Sequence, residues 1–296
     1  MNQSSLIEPT KRGLRLYSSV LTASENMKGV LDVDTVKGCT LGMNADPRGC
    51  YGECYANKIA ERYGIDFTVS VSRRLTPYNF DSIFKTVRDH QANWYRIGTA
   101  GEPCHDWENT LSVIEALHPT GKTAVIITKH WIPLLDTQIW RLRAVSAVVN
   151  TSTSGLDTEA QTKHRIGQIM RLREAGVDSV CRVVTCEYGS SEWAQTAKRT
   201  QDYLLSLAPV IDNPLRATAA HHRVQSGEII LSKRIDAIGG GKAVSLHNQD
   251  VYLGTCEACP DQCGLFKKGT QSADSSIFNG QRSLFGEAEE GQGREA

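Results

Sequence analysis

The chain has 296 residues, 40% of them hydrophobic and 22% charged, which is enough apolar material for a real core and excludes a fibrous or wholly disordered chain. Lys plus Arg and Asp plus Glu each number 33, so the formal net charge is zero and the global basic field of a nucleic-acid coat protein is absent, while a local basic groove stays open. No apolar run approaches the roughly 20 residues that span a bilayer, and Met1-Asn2-Gln3-Ser4-Ser5 lacks the charged-then-apolar order of a signal peptide. The expectation is a cytoplasmic protein with no membrane partner.

In chain order, an N-terminal extension (1–30) precedes a strand at Val33 to Lys37, a glycine-rich loop and a helix at Tyr55 to Tyr63. Strands are then predicted at Trp94 to Gly98, Thr123 to Thr128, Val145 to Asn150, Val177 to Thr185 and Pro209 to Ile211, from β-branched runs bounded by turn residues. Helices are predicted between them, at Trp107 to Leu117, Pro133 to Leu142, Thr158 to Ala175 and Glu192 to Leu207, the third stopping at Gly176. Strands alternating with helices predict an α/β fold with a parallel sheet, about six units forming a partial or full (β/α)6 TIM-like barrel over 31–215. Residues 216–269 read as an extension in which Glu228 to Lys233 and Ala243 to His247 form a β-hairpin around Gly239-Gly240-Gly241, followed by a polar tail (270–296) expected to be mobile.

Nine cysteines are many for a chain with no export signal, because a reducing cytosol leaves structural disulfides little chance to persist. Six of them form two triads, Cys39, Cys50 and Cys54 near the start and Cys256, Cys259 and Cys263 near the end, whereas Cys104, Cys181 and Cys186 lie between. The first triad occupies the loop Gly38-Cys39-Thr40-Leu41-Gly42 through Gly49-Cys50-Tyr51-Gly52-Glu53-Cys54-Tyr55-Ala56, between a predicted strand and helix. That is the carboxyl end of a strand, where active sites on such sheets lie. Three thiolates leave one position of a metal centre open, as a cube of four irons with one accessible iron requires; a zinc knuckle closed by a histidine is the other reading.

This loop resembles that of the radical S-adenosylmethionine superfamily, specifically phage-associated members with a GC...GC...CYA arrangement. Its spacing, C-x10-C-x3-C, differs from the usual C-x3-C-x2-C, and Glu53 stands where an aromatic residue usually precedes the third cysteine. The resemblance implies a radical SAM barrel carrying a 4Fe-4S cluster on Cys39, Cys50 and Cys54, with S-adenosylmethionine on the open iron. It further implies reduction by a protein such as flavodoxin, reductive cleavage of the cofactor, and hydrogen abstraction from substrate by the 5'-deoxyadenosyl radical. It also expects a short glycine-and-glutamate motif after the second strand to bind the methionine amino group. Gly98-Thr99-Ala100-Gly101-Glu102-Pro103 supplies one, making Gly101 and Glu102 cofactor-binding candidates. Asn150 and Ser152, in Asn150-Thr151-Ser152-Thr153-Ser154, resemble positions that hold the cofactor's carboxylate and ribose, or are ordinary turn chemistry. Lys129, His130 and Cys186, each just past a strand, are catalytic candidates for proton or hydrogen transfer, with surface roles as the alternative.

The second triad, C-x2-C-x3-C, brings its thiolates close in sequence and reads as a second metal site, an auxiliary iron-sulfur cluster or zinc, with Cys104, Cys186 or His247 as possible fourth ligands. The phage resemblance implies isomerisation or other modification of an amino-acid-modified thymine base, in DNA within a host cytoplasm or as a free nucleotide. Arg73-Arg74, Arg216, His221-His222-Arg223 and Lys233-Arg234 could then contact phosphate. A peptide or small-metabolite substrate, or a zinc-stabilised binding protein without chemistry, are the alternatives.

Overall fold

The structure, a computed structural model, describes residues 13–26, 28–46, 48–232, 243–254, 256 and 258–269. The chain begins with β1 (Ser24–Glu25), β2 (Leu31–Asp32), β3 (Val36–Lys37), α1 (Thr40–Asn44), α2 (Tyr55–Arg62), β4 (Val71–Ser72) and α3 (Pro77–Asp89). It continues with β5 (Trp94–Ile97), α4 (Trp107–Leu117), β6 (Thr123–Thr128), α5 (Asp136–Ala144), β7 (Val148–Ser154), α6 (Glu159–Glu174), β8 (Asp178–Thr185), β9 (Glu187–Tyr188), α7 (Glu192–Leu205) and β10 (Val210–Pro214). β11 (Arg216–Ala217), α8 (His222–Gln225), β12 (Ile229–Ile230) and β13 (Ala243–Val244) follow, and a 3-10 segment over Gln262–Gly269 closes the described chain.

The fold is α/β. Its central sheet has seven strands in the order β1-β2-β5-β6-β7-β8-β10, parallel throughout except for the antiparallel edge pair β1 and β2. From β2 onward the sheet follows chain order, so each helix returns the chain to the next position on the same side. β1 and β10 are the two edges, and the pairing does not close a full ring.

The two faces of the sheet are covered differently. Tyr95, Ile97, Ala124, Ile126 and Val149 pack against Ile83 and Val87 of α3, Leu111 and Ile114 of α4, and Ile139 and Leu142 of α5. Cys181 and Val183 of β8 meet Ile169 of α6 and Leu204 of α7 on the same side. The alternate residues, Trp94, Val125, Val148, Val180 and Ile211, point the other way and pack with Cys263 of the C-terminal cysteine segment. Period-two alternation therefore divides the apolar strands between a helical cover and a cysteine-bearing plug. Among the described residues no helix is long and apolar enough to cross a membrane.

Helix ends follow local chemistry. Thr158 caps α6 by accepting from Gln161 N at 3.2 Å while Gln161 Oε1 returns the bond to Thr158 N at 3.1 Å, a capping box. Thr76 and Asn79 build the same device at α3, a helix for which the sequence reading made no provision. Two strand expectations shift. The Val33 to Lys37 strand is split: Val33 N bonds Arg96 O at 2.8 Å beside β5, the chain bends at Thr35, and β3 pairs with β4. The predicted strand at Val145 to Asn150 begins instead at Val148 and runs to Ser154, paired with β8 along its whole length and buried throughout, with Ser154 Oγ donating to Val184 O at 2.7 Å. The Thr151 to Ser154 segment is strand, not turn.

The predicted C-terminal hairpin is also rearranged. Ser232 N reaches Val244 O at 2.8 Å, yet the two arms form their ladders elsewhere, β12 with β9 and β13 with β11, which ties the extension to the main fold. Gly239, Gly240, Gly241, Lys233, Arg234 and the tail from 270 lie outside the described residues. At the other end, β1 and the buried Leu21 make part of the expected N-terminal extension a contributor to sheet and core.

Gly101 is a close backbone junction beside the cysteine loop: it bridges Gly38, and a Cβ there would stand 2.0 Å from Val36 O. Gly101→Ala is expected to lower stability by about 1–3 kcal/mol, as overpacking against backbone does, read as a reduced urea midpoint with an unchanged slope.

Candidate metal centre

The first cysteine loop leaves β3 and turns back along the carboxyl edge of the sheet. Cys39 is the N-cap of α1, its Sγ accepting from Gly42 N at 3.3 Å. Cys50 holds a left-handed φ of 73°, between Gly49 and the turn that presents Cys54 at the start of α2. The sulfurs converge on Gly42, where a Cβ would stand 2.7 Å from Cys39 Sγ, 3.4 Å from Cys50 Sγ and 3.8 Å from Trp131 Nε1. Only a glycine leaves this cradle open. Burial pushes the Cys39 thiol up, with Glu102, Cys50 and Cys54 adding to the rise, and burial pushes Cys50 up to about 11 against the pull of Lys129. All three sulfurs thus lie within electrostatic reach of one another. None of the nine cysteines is in a disulfide.

Two buried carboxylates position the neighbouring loops. Asp34 accepts from the N–H groups of Gly98 at 2.9 Å, Thr99 at 2.8 Å and Ala100 at 3.0 Å, which fixes the turn after β5. Burial raises its pKa, and Asp32 adds to the rise. Glu102 accepts from the Thr128 hydroxyl, from Cys104 N at 3.3 Å and from Lys129 N at 2.9 Å. Its carboxylate is therefore spent on joining the ends of β5 and β6, and Gly101 is spent on the approach to Gly38.

Beyond β6 the catalytic candidates separate. Lys129 points to the concave side: its Nζ donates to the Tyr51 hydroxyl and to Ser152 O at 3.5 Å, and stands 4.0 Å from Asp157 Oδ1. Desolvation lowers its pKa and Asp157 opposes that shift. Arg165 secures Asp157 at 2.5 Å and donates Nε to Lys129 O at 3.0 Å. Ser152 is thus part of the Lys129 group. His130 turns the opposite way, fully buried with its ring 5.6 Å from that of Trp107 and both ring nitrogens without a partner. Cys186 is buried with Tyr51 and Tyr188, its backbone bonded to Gln201.

Cys263 and Cys256 of the second triad lie against the sheet face opposite the helices, the concave face. Cys263 packs among Val30, Trp94, Val125, Val148, Val180 and Ile211, with Cys256 alongside. Asn150 Nδ2 donates to Cys263 O at 2.9 Å, which places Asn150 with this segment. Arg96 Nη1 lies 4.0 Å from Cys256 Sγ, and Arg182 Nη1 lies 4.0 Å from Cys263 Sγ. Arg96 is neutralised by Asp32 at 3.0 Å, while Arg182 meets Asn213 Oδ1 at 2.8 Å. The proposed fourth ligands are placed elsewhere: Cys104 packs with Trp107 and Leu111 on the helical side, Cys186 packs with Tyr51, and His247 pairs with Asp212 at 3.0 Å. Among the described residues, no three His, Cys, Asp or Glu side chains are gathered closely enough to hold a single metal ion.

Three of the arginines expected at a phosphate groove are bonded within the protein, while Arg216 is exposed and Lys233 and Arg234 lie outside the described residues. Arg73 is buried and donates to Thr22 Oγ1 at 3.0 Å, Arg74 pairs with Asp106 at 3.0 Å, and Arg223 pairs with Glu228 at 2.6 Å. His221 is buried against Tyr51 O. Asp157 and Arg165 entered no sequence-level site, since only convergence in space gives them one; Trp131, one of the residues after the third predicted strand, and Gly42 and Tyr51, within the cysteine loop, had no role assigned by the sequence.

His130 supplies a pH test. Desolvation pulls its pKa from 6.5 down to about 3, so the unfolded chain binds the proton more readily, and the stability from keeping this ring neutral is lost as pH falls from 6.5 through 3. Urea unfolding across that range should show a limb of up to about 1.4 kcal/mol per pH unit that is shallower in His130→Asn. No family model matches the chain, and no curated protein matches it.

Proposed function

We propose that the chain is a radical S-adenosylmethionine enzyme, built on an open (β/α)6 barrel, in which Cys39, Cys50 and Cys54 hold a 4Fe-4S cluster. The observation that carries this reading is the convergence of Cys39 and Cys50 on the Gly42 cradle, with Cys54 in electrostatic reach, at the carboxyl edge of a parallel sheet. A cube spreads three thiolates over three irons, a wider arrangement than the shell of one ion, and it uses three ligands where a structural zinc site uses four. The unpartnered indole N–H of Trp131 beside the cradle also suits a sulfur-rich occupant. When bound together, the cluster and S-adenosylmethionine supply the radical that takes hydrogen from substrate, with an electron from a reductant such as flavodoxin.

The chain's own residues have distinct parts in this. Glu102 and Asp34 hold the loop after β5 against the cysteine loop, which makes Glu102 a positioning residue. Lys129 brings a buried amine to the side of Cys50, next to Tyr51, where it can donate to an anionic group of cofactor or substrate. Ser152 shares that layer, whereas His130 and Cys186 are packed away from it. For the substrate, an amino-acid-modified thymine, isomerised or otherwise altered, follows from the family resemblance alone; Arg73, Arg74 and Arg223 are bonded within the protein and add no support for a phosphate groove.

The second triad we assign to a separate thiolate site, iron-sulfur or zinc, in which Arg182, half-buried and 4.0 Å from Cys263 Sγ, offsets thiolate charge while Arg96 is already paired with Asp32.

Cys50→Ala should abolish formation of 5'-deoxyadenosine from S-adenosylmethionine under reducing conditions while circular dichroism stays that of the parent; product at the parent rate sinks the assignment. In a Cys39→Ser/Cys50→Ser/Cys54→Ser variant, iron and zinc analysis should find the metal of the second triad retained. Loss of all metal from that variant, still folded, would count against a second site.

A further inference from the structure

Resting on the cluster reading above, we infer that the indole N–H of Trp131 donates a hydrogen bond to a sulfur of the cluster held by Cys39 and Cys50, and thereby raises its reduction potential. Trp131 is a positioning residue of the metal centre rather than part of the wall.

The indole nitrogen of Trp131 is buried and has no acceptor among the described residues. An indole N–H is a donor only, and leaving one buried and unmet costs about 1–3 kcal/mol, so an acceptor at this place is worth having. Neighbouring donors are already satisfied. Gly42 N donates to Cys39 Sγ at 3.3 Å, Leu41 N to His105 Nε2 at 3.3 Å, and Trp107 Nε1 to Ile132 O at 3.0 Å. Of these donors, Trp131 Nε1 is the one without an acceptor among the described residues, and it faces the cradle that the two sulfurs border, 3.8 Å from the point where a Cβ of Gly42 would stand.

The chain path makes this orientation specific. His130 takes a left-handed φ of 49° between Lys129, whose amine reaches the Tyr51 hydroxyl, and Trp131, whose indole nitrogen faces the cysteine loop. The Arg165 guanidinium lies 4.9 Å from the Trp131 ring centroid, while Arg165 itself is anchored by Asp157 at 2.5 Å. A cation over the ring draws electron density from it and strengthens the N–H as a donor. Reduction adds an electron to the cluster and its thiolates, and a fixed N–H dipole aimed at sulfur stabilises the more negative state.

The test is a redox titration of the reconstituted full-length protein by electron paramagnetic resonance, without S-adenosylmethionine. The N-terminal cluster is recognised as the signal that changes when S-adenosylmethionine is added. Trp131→Phe keeps an aromatic ring beneath Arg165 and removes the N–H; its equilibrium constant for reduction should fall about tenfold, a drop of about 59 mV for one electron. An unchanged midpoint with an intact cluster overturns the inference and leaves the enzyme assignment standing. Should Trp131→Phe fail to assemble a cluster, the unaltered protein carrying 15N-indole tryptophan decides: a 15N hyperfine coupling on the reduced signal supports the bond, and its absence overturns it. Iron and sulfide analysis of the unaltered protein comes first, and a protein that builds no N-terminal cluster overturns the enzyme assignment together with this inference.

Discussion

The carboxyl edge of the sheet takes its shape from two buried carboxylates that are spent on backbone. Asp34 gathers three successive N–H groups of the turn after β5, and Glu102 ties the end of that turn to the Thr128 hydroxyl and the Lys129 N–H. Charge-assisted bonds of this kind are short and directional, and in a low-dielectric interior they leave few alternative arrangements. The position of the cysteine loop follows from them, because Gly38 and Gly101 meet along the edge they define.

From that edge inward, the sheet separates two chemistries. Its upper, carboxyl end carries the Lys129, Tyr51, Asp157 and Arg165 group beside Cys50, in which each charge has a partner. Its middle and lower concave face carries Arg96, Arg182 and Asn150, followed by the apolar layer in which Cys263 sits. Helices cover only the other face. A singly covered parallel sheet would expose a row of Val and Trp side chains, and the C-terminal cysteine segment removes that exposure by packing on it. Gly264 allows the contact: a Cβ there would stand 2.5 Å from Val180 Cγ2.

Two buried polar atoms without partners border the cysteine groups: Trp131 Nε1 faces the Gly42 cradle, and Asn150 Oδ1 belongs to the side chain that bonds Cys263 O. Others, such as Tyr95 Oη and the His130 ring nitrogens, lie in the helical core, so unmet polar atoms are not confined to the cysteine sites.

Much of the architecture was legible in the sequence. The runs Thr123 to Thr128 and Trp107 to Leu117 coincide with β6 and α4, and Thr158 and Gly176 mark the ends of α6, because continuous β-branched runs, capping side chains and a left-handed glycine are local instructions. The grouping of cysteines into two triads was equally a property of the sequence. What the tertiary structure decided is direction and company. A one-residue alternation sends Lys129 to the concave face and His130 to the helical one, and no local pattern tells which face will be which. Cys104 and Cys186 go to different packing clusters from Cys263, which no spacing rule could foresee. Thr151 to Ser154 became strand because burial on both faces outweighed the turn preference of serine and threonine. The Gly42 cradle and the Trp131 indole above it are brought together by the meeting of two strand ends, a contact between residues about 90 apart that exists only once the sheet has formed.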